Sequence, residues 1–590
     1  MVEPAEGGGG YSPMDIARDV VARRPILVPL TVTVLAVIVW VGWTAATGDG
    51  DEPRPEVSAD DTTGVPGDAA STDAAAPTTS TEAPLPPFDG WVNPASFGRM
   101  WSDEVPGLLT FRGNPTRSYY GDGPVPEDPT VLWSYPGDGG GLCGTSIDGS
   151  GAQTWCGTGW TGQPAVWESE RGTTVTFGAY DYGVHWLDAA TGDTVLPSFP
   201  TGDIIKGSVT IDPDGYPITY TGSRDDHYRA IATDRDEPVE LWRFNAEQVA
   251  PTLWNDDWDG SGLVIDDYLF EGGENSQFHI WKLNRGYDAD GLVTVDPELV
   301  FNTPGWDQEL LSAIGDEQVS IENSVAISGN TVYFSNGGGL VQGWDITGLK
   351  DGVTPTRTFR FWTGDDTDAS IVIDEEGMLY VSSEFEPSKR SGAARARATE
   401  IGQIIKLDPT RPDDPVVWSV KDQTGGDSGA WGTSAVTEDM VYSDFNSGRV
   451  VGIDRTTGDI VWEKKLTGPT WQSPVVVDDT LILGDCDGEL HAYDVSDPTV
   501  DPPEKWSVQL SGCIESTPAV WGGRIFVGAR GGRFYAIGDP DLAPPGGPEG
   551  DPTWTGPTAG SAGATSAGDG SGGGSTVTTQ RPTVTTAGDG

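Results

Sequence analysis

The sequence predicts an all-β protein, an eight-bladed β-propeller whose blades are four-stranded antiparallel sheets. The first observation is a repeated unit within residues 450–539. In it, a small polar residue opens a short apolar run (SPVVV, TPAVW), and further apolar runs, one of them with Trp, follow after tight turns. The second observation is that this opening recurs along the chain, at Gln163, Gly207, Ser261, Asn323, Ala369, Ser434, Ser473 and Thr517. A blade with two apolar faces needs a neighbour on each side.

The third observation concerns closure of the ring. The last unit contains only three apolar runs before the chain becomes polar. Residues 131–135 (VLWSY) match the Trp-bearing closing runs around Trp242 and Trp462. We therefore expect a strand from the N-terminal side to complete the last blade, which closes the ring and leaves no exposed sheet edge.

The N-terminal region predicts one transmembrane helix. Residues 25–46 contain no charged residue, Arg18, Arg23 and Arg24 precede them, and acidic residues follow. This length and this charge asymmetry predict a single-pass anchor at 25–46, with residues 1–24 cytoplasmic and the remainder extracytoplasmic. A cleaved signal peptide stays open as the alternative.

Two segments have the composition of disordered chain. Residues 47–99 consist largely of Asp, Thr, Ala, Pro and Ser, and residues 540–590 are rich in Gly, Ser, Thr and Pro. Segments with so few large apolar residues do not bury enough surface to fold. The sequence thus predicts a stalk at 47–99, a propeller at 100–539 and a tail at 540–590.

The charge of the chain excludes some partners. The formal net charge is −56, from 90 acidic and 34 basic residues. Binding to nucleic acid depends on basic side chains that contact phosphate, and anionic lipid is an equally poor partner for an acidic surface. The sequence therefore predicts no nucleic-acid partner.

The four cysteines predict two disulfides. Cys143 and Cys156 flank a short Gly/Ser segment before the first blade, whereas Cys486 follows a second strand and Cys513 precedes the next opening strand. We expect Cys143–Cys156 and Cys486–Cys513 pairs in an extracytoplasmic domain. A metal site built on cysteine is disfavoured, because there is no CxxC spacing and the chain has only four histidines.

Candidate ligand-binding residues follow from the topology. In a propeller, residues before each innermost strand and after each second strand meet at one mouth of the central channel. These positions give Trp160, Glu322, Asn323, Trp431, Asp444, Trp471, Asp485, Glu515 and Arg530, with Asp259, Glu271 and Glu384 at equivalent places. Trp and carboxylate side chains suit a sugar or a peptide, and carboxylates alone suit calcium. Packing of Trp between blades, solvated acids, and acid/base hydrolysis stay open.

Three other segments have two interpretations each. Residues 212–215 (DPDG) and 288–291 (DADG) resemble fragments of calcium loops, but the remaining ligands of a twelve-residue loop are absent, which favours tight turns. The basic run at 389–397 (KRSGAARAR) either docks an acidic partner or an anionic wall polymer, or is a loop held by neighbouring acids.

The repeats resemble those of a known family. The units STPAVWGGRIFVGARGGRFYAIGD and VVGIDRTTGDIVWEKKL look like the PQQ-type propeller repeat, and residues 110–117 (TFRGNPTR) are similar to a segment of secreted PQQ-like propellers. The repeat occurs in quinoprotein dehydrogenases and in non-enzymatic relatives such as the outer-membrane assembly lipoprotein BamB. The family's enzymes stack the quinone on a disulfide between adjacent cysteines and bind calcium through Glu, Asn and Asp. This chain has no adjacent cysteines, and Glu322-Asn323 and Glu274-Asn275 are its only suggestive pairs.

These observations favour a non-catalytic binding or assembly scaffold, anchored in the membrane, for an extracytoplasmic protein or a cell-envelope polymer. No cofactor is predicted, calcium stays open and PQQ is disfavoured. The alternatives are a PQQ- and calcium-dependent quinoprotein dehydrogenase and a carbohydrate-acting enzyme. A sensor is disfavoured, because the predicted cytoplasmic segment is too short for a signalling domain. The oligomeric state is not predicted.

Overall fold

The computed structural model describes residues 84–541, apart from 138, 149–150, 160–161 and 424–425. In this region of the chain, eight antiparallel sheets form the blades of a propeller, which confirms the predicted fold and blade number. From the innermost to the outermost strand, blades one to four are Ala165–Ser169, Gly172–Gly178, Gly183–Asp188 and Thr194–Pro200; Thr210–Ile211, Ile218–Gly222, His227–Ala232 and Val239–Asn245; Leu263–Ile265, Tyr268–Gly272, Gln277–Lys282 and Glu298–Pro304; and Ala326–Ser328, Thr331–Phe334, Leu340–Asp345 and Thr356–Trp362.

The second half of the ring follows the same pattern. Blades five to eight are Val372–Ile373, Leu379–Ser382, Ile404–Leu407 and Val416–Val420; Ala435–Val436, Met440–Asp444, Arg449–Asp454 and Ile460–Lys465; Val475–Val477, Thr480–Gly484, Glu489–Asp494 and Glu504–Gln509; and Ala519–Trp521, Arg524–Ala529, Arg533–Gly538 and Thr130–Tyr135. Each innermost strand begins one to three residues after the opening residue predicted from the sequence.

The remaining described elements are short. Gly107–Leu108 and Gly121–Asp122 pair with the innermost strands of blades one and eight. Three further strand pairs are Cys143–Asp148 with Gly151–Cys156, Gly286–Tyr287 with Val293–Thr294, and Glu384–Phe385 with Ser428–Gly429. The α-helices are α1 (Gln308–Ile314) and α2 (Gly392–Ile401), and the 3-10 helices are Pro94–Ser96, Ala246–Gln248 and Leu349–Asp351.

Apolar clusters lie between neighbouring blades all the way around the ring. Blades one and two, two and three, three and four, four and five, and five and six each share one cluster, and one larger cluster joins blades six, seven and eight. Blades eight and one share another, in which the rings of Phe177 and Phe534 stack with centroids 4.0 Å apart. Both faces of every blade are therefore buried against a neighbour, as the repeat pattern predicts.

The strand Thr130–Tyr135, which we name the closing strand, completes blade eight as predicted. It pairs antiparallel with Arg533–Gly538, with Val131 opposite Ile537 and Ser134 opposite Tyr535. Its Trp133 packs over the turn of blade one at Gly192, where a Cβ atom would lie 2.7 Å from the indole and where φ is +76°. Glycine is required at this turn, because both the left-handed backbone and the close indole exclude a side chain.

Residues 107–122, which we name the plug, lie across the central channel and contact all eight blades. The ends pair with blades one and eight, and backbone groups bond to Ile211, Ile327 and Ile373 of blades two, four and five. The guanidinium of Arg117 donates to the carbonyls of Ser261 and Val325, at 2.7 and 2.8 Å. That of Arg112 donates to the carbonyls of Ser434 and Pro474, at 2.7 and 3.0 Å. Both arginines are fully buried.

The chain packs on the ring before residue 100, the predicted start of the propeller. Trp91 is buried, its indole donates to the carbonyl of Ile346 at 2.8 Å, and its ring meets Tyr268 and Phe270 edge to face. The end of the predicted stalk is thus bound to blades three and four. At the other end, the carboxylate of Asp539 accepts hydrogen bonds from backbone N–H groups that precede the closing strand.

The other predicted segments lie outside the described residues: the cytoplasmic segment at 1–24, the membrane span at 25–46, the beginning of the stalk, and nearly all of the tail. Between residues 84 and 541, no described helix combines the length and the apolar character that crossing a membrane requires.

Replacing Arg117 with Met should lower the free energy of unfolding by on the order of 3 kcal/mol, because the buried carbonyls of Phe111, Ser261 and Val325 would lose a donor. Urea denaturation of the purified protein measures this difference. The matched control is Arg243→Met, since the Arg243 side chain is 58% exposed and its loss should change stability by less than about 0.5 kcal/mol. Equal effects of the two substitutions would contradict the role that we assign to the plug.

Candidate site at the mouth of the channel

One face of the ring collects the residues that the sequence predicts to meet. Because neighbouring strands are antiparallel, the connections between blades and the turns between second and third strands lie on the same face, which we name the mouth face. Within the channel, Phe111 of the plug forms the floor of a cavity that Asp259, Glu322 and Asp368 also line. Its volume of about 10 Å³ corresponds to one water molecule.

The first group of acids at the mouth surrounds an internal cation. The carboxylates of Asp259, Glu274 and Glu322 lie with oxygen atoms within 4.8 Å of one another. The ammonium of Lys206 contacts Asp259 and lies 3.5 Å from Glu274. We name these four residues the Lys206 cluster. Burial raises the pKa of Glu322 to about 7, although Lys206 opposes this rise. The positive charge of this buried cluster is therefore supplied by a side chain of the protein, Lys206.

A second group of acids lies on blade five. Asp366 and Asp368 belong to the connection that enters the blade, and Glu384 belongs to an insertion between its second and third strands. Their carboxylate oxygens also lie within 4.8 Å of one another, and we name them the Asp366 cluster. Burial and the neighbouring carboxylates raise the pKa of Glu384 well above its usual value. The two clusters form an acidic arc from blade two to blade five.

The other half of the mouth is aromatic and ion-paired. The rings of Trp431 and Trp471 stack with centroids 5.1 Å apart, and the Trp471 indole donates to Asn446 at 2.5 Å. Arg530 forms an ion pair with Glu515 at 2.8 Å. Among the predicted residues, these two pairs do come together at the mouth.

Three predicted residues have structural roles instead. The amide of Asn323 donates to the carbonyls of Ser335 and Thr367 and accepts from the N–H of Ser335, so it is occupied within the fold. Asp485 accepts bonds from backbone N–H groups, including that of Gly468, and caps a turn. Asp444 is buried and bonds Thr470 at 2.7 Å. Trp160 lies outside the described residues.

Residues that the sequence argument missed are Lys206, Asp366 and Asp368. The two aspartates stand just before an innermost strand, which is the position that the topology singles out, so the rule that found Glu322 would also find them. Lys206 precedes the opening residue of blade two, but the sequence gives no sign that its side chain is buried among acids.

The predicted disulfides and turns have clear outcomes. Both disulfides are present as predicted, Cys143–Cys156 and Cys486–Cys513. Residues 212–215 form a turn in which Asp212 binds Arg285 at 2.8 Å, and residues 288–291 form a turn closed by Asp288. These contacts favour the turn interpretation for both motifs.

The basic run at 389–397 spans the start of the blade-five insertion and half of α2. Lys389 forms an ion pair with Glu386 at 2.7 Å, and Arg390 forms one with Asp365 at 3.0 Å. The first basic residues of the run are therefore held by neighbouring acids, which favours the second of the two interpretations.

A quinone does not fit the residues at this mouth. The four cysteines of the chain form two disulfides whose partners are 13 and 27 residues apart, so no adjacent-cysteine platform exists. The cavity above the plug has a volume of only about 10 Å³, and its acidic lining disfavours an anionic ligand.

The substitution Asp444→Asn should stabilise the protein more strongly as the pH rises from about 4 to 7. Burial raises the pKa of Asp444 to about 7, above its ordinary value of 3.8. The folded state thus binds this proton more tightly than the unfolded state, and the stability that it contributes is lost as the pH rises through this window. Urea denaturation across the window measures the difference between variant and wild type.

Asp485→Asn is the matched control, and its effect on stability should have the opposite pH dependence. Burial opposes the ionisation of Asp485, but the nearby His491 imidazole, 3.8 Å away, and hydrogen bonds from backbone N–H groups outweigh it and lower the pKa to about 2. The wild-type carboxylate therefore stabilises the fold at neutral pH, and this contribution is lost as the pH falls below about 4. The same pH dependence for both variants would refute these assignments.

Comparison with known proteins identifies the repeat. Residues 400–501 match the family model described as outer membrane protein assembly factor BamB. No curated protein sequence matches the chain. The fold is similar to that of BamB from Moraxella catarrhalis, with 14% identity, a TM-score of 0.44, and coverage of 70% of this chain and 99% of that one. It is also similar to quinohemoprotein alcohol dehydrogenase from Comamonas testosteroni, with 14% identity, a TM-score of 0.46, and coverage of 73% and 80%. The sequence match at residues 400–501 and the eight repeated blades together support a PQQ-type β-propeller repeat in this chain.

Proposed function

We propose that this protein is a non-catalytic scaffold, anchored in the membrane by residues 25–46, whose extracytoplasmic propeller binds a protein or a cell-envelope polymer at the mouth face. The observation that carries the proposal is the filled channel. The plug occupies the axis of the ring and is held by Arg112 and Arg117, so the centre of the ring has no room for an organic cofactor or a sugar ring.

The matched family model supports an assembly role. Its description names an outer membrane protein assembly factor, and the match covers blade six, most of blade seven and the end of blade five. A binding role is also consistent with the exposed side chains of the mouth face. There, Trp254 is 49% exposed in the connection from blade two to blade three. Large exposed aromatic side chains are typical of surfaces that bind partners.

The path of the chain before the plug indicates which face of the ring the anchored chain approaches. Val92 pairs with Gly329, which lies between the first and second strands of blade four, and Ser102 donates to Pro213, at the corresponding place in blade two. Both turns lie on the face opposite the mouth. A chain that comes from a membrane anchor would therefore reach the ring on this opposite face, which favours a mouth face directed away from the membrane.

The two enzymatic alternatives have weaker support. A quinoprotein dehydrogenase requires a stacking platform and room for the quinone, and the described mouth offers neither. A carbohydrate-acting enzyme requires two carboxyl groups that flank an open sugar site, at about 5 Å or more. In this mouth the carboxylates of each cluster lie within 4.8 Å of one another, and the cavity that Asp259, Glu322 and Asp368 line has a volume of only about 10 Å³.

Site-specific photocrosslinking in cells tests the proposal. A photoreactive amino acid in place of Trp254 on the mouth face should give a discrete crosslinked species, because the partner contacts this face. The matched control is Val353, which is 60% exposed in the connection between the third and fourth strands of blade four, on the opposite face, and should give none. Digestion with a protease or a wall hydrolase then separates a protein partner from a polymer.

Two outcomes would contradict the proposal. Crosslinks of equal yield from both positions would show that the mouth face is not a specific binding surface. Uptake of PQQ by the calcium-loaded protein, together with alcohol-dependent reduction of a dye, would establish the dehydrogenase alternative.

A further inference from the structure

The Asp366 cluster differs from an ordinary acidic surface, because the backbone fixes its members together. The N–H of Glu384 donates to the carbonyl of Asp366 at 2.9 Å. The strand Glu384–Phe385 also pairs with Ser428–Gly429, and a Cβ atom at Gly429 would lie 2.6 Å from the backbone of Glu384. Gly429 has a φ of +90°, so the approach and the backbone both require glycine. The fold therefore holds the three carboxylates together against their mutual repulsion.

Glu384 is the most unusual member. Its side chain is 4% exposed, its carboxylate points into the cluster, and no group in the described chain donates a hydrogen bond to it or forms an ion pair with it. One oxygen of Asp366 and one of Asp368 are likewise buried without a partner among the described residues. Buried carboxylates without partners are costly to retain, and each such group requires an explanation.

The nearby cations do not neutralise these three carboxylates. Lys389 and Arg390 stand close to the cluster, but their charged groups bind the carboxylates of Glu386 and Asp365. Arg390 also forms an ion pair with Asp316 at 3.2 Å, so six carboxyl groups share these two cations. The Lys206 cluster is the internal comparison: it has the same number of carboxylates at the same spacing, and the ammonium of Lys206 lies among them.

We propose that the Asp366 cluster is a calcium site, in which Ca²⁺ takes the place that Lys206 has in the other cluster. The ligands would be carboxylate oxygens of Asp366, Asp368 and Glu384, with water molecules in the remaining positions. All of these oxygens lie within 4.8 Å of one another, which is compatible with ligands around one ion with Ca–O distances of about 2.3–2.6 Å. Mg²⁺ keeps several of its water molecules and is usually bound through one or two carboxylates, so a site with three protein carboxylates favours Ca²⁺.

The site is distinct from the Glu-Asn pairs considered from the sequence, since the Asn323 amide is occupied by backbone groups. Its ligands come from two segments, the connection into blade five and the insertion that carries α2. Calcium would join them, and it would hold the insertion at the rim of the mouth.

Calcium titration of the purified full-length protein, first treated with EDTA, tests this site. We expect isothermal titration calorimetry at an ionic strength of about 0.15 M, which screens weak surface binding, to show one site that prefers Ca²⁺ to Mg²⁺. Glu384→Gln should weaken Ca²⁺ binding at least about tenfold, because it removes a charged ligand and keeps its shape. In EDTA, the same variant should have a higher melting temperature than wild type, because one of the repelling charges is removed. Addition of calcium should raise the melting temperature of wild type but not that of the variant.

The matched control is Glu274→Gln in the Lys206 cluster, which should leave Ca²⁺ affinity unchanged. A wild-type protein that binds no Ca²⁺ at the site, or Ca²⁺ binding that survives both Glu384→Gln and Asp368→Asn, would overturn the proposal. Protons would then be what neutralises the cluster. Because the scaffold role is tested by crosslinking and this site by calcium binding, failure of one does not imply failure of the other.

Discussion

The fold depends on how one N-terminal segment satisfies hydrogen bonds inside a ring of sheets. The innermost strands of a propeller have one edge that faces the axis, and the carbonyl groups along it need donors. Arg117 supplies donors to blades three and four, and Arg112 supplies them to blades six and seven. The plug therefore joins blades that are far apart in the sequence, and it fills the channel by the same contacts.

The closing strand stabilises the same ring at the outer edge of blade eight. After the plug leaves blade eight at Gly121–Asp122, the chain crosses to the outer edge of that blade and returns as Thr130–Tyr135. One continuous segment thus caps the inner edge and the outer edge of the last blade. Because the mouth lies on the other side of the plug, the arrangement leaves the acidic and aromatic residues of the mouth as the accessible end of the axis.

Much of this architecture follows from the sequence, because it is encoded locally. The apolar runs that open the blades, the Trp of the closing strand and the spacing of the cysteines are short-range patterns, and each of these predictions is confirmed. The role of the plug is not encoded in this way. The segment TFRGNPTR is visible in the sequence, but the partners of Arg112 are 322 and 362 residues away, and nothing local identifies them.

The position of the mouth was predictable from the sequence, but the chemical roles of its residues were less so. Topology alone brings Trp431 to Trp471 and Glu515 to Arg530. Topology does not show that the environments of Asp444 and Asp485 differ, because both residues lie at the ends of second strands in neighbouring blades. Their pKa values shift in opposite directions because one is buried with few donors and the other caps a turn. The Asp366 cluster likewise depends on an insertion whose strand pairing cannot be inferred from spacing.

Hydrogen exchange of residues 107–135 in the intact protein tests the central claim most directly. If this segment fills the channel and completes blade eight, its backbone N–H groups that bond the blades should exchange as slowly as those of Arg524–Ala529 in the same blade. Rapid exchange across 107–135 while the blades stay protected would show that the ring stands without this segment, and would contradict the dependence of the fold on the plug and the closing strand.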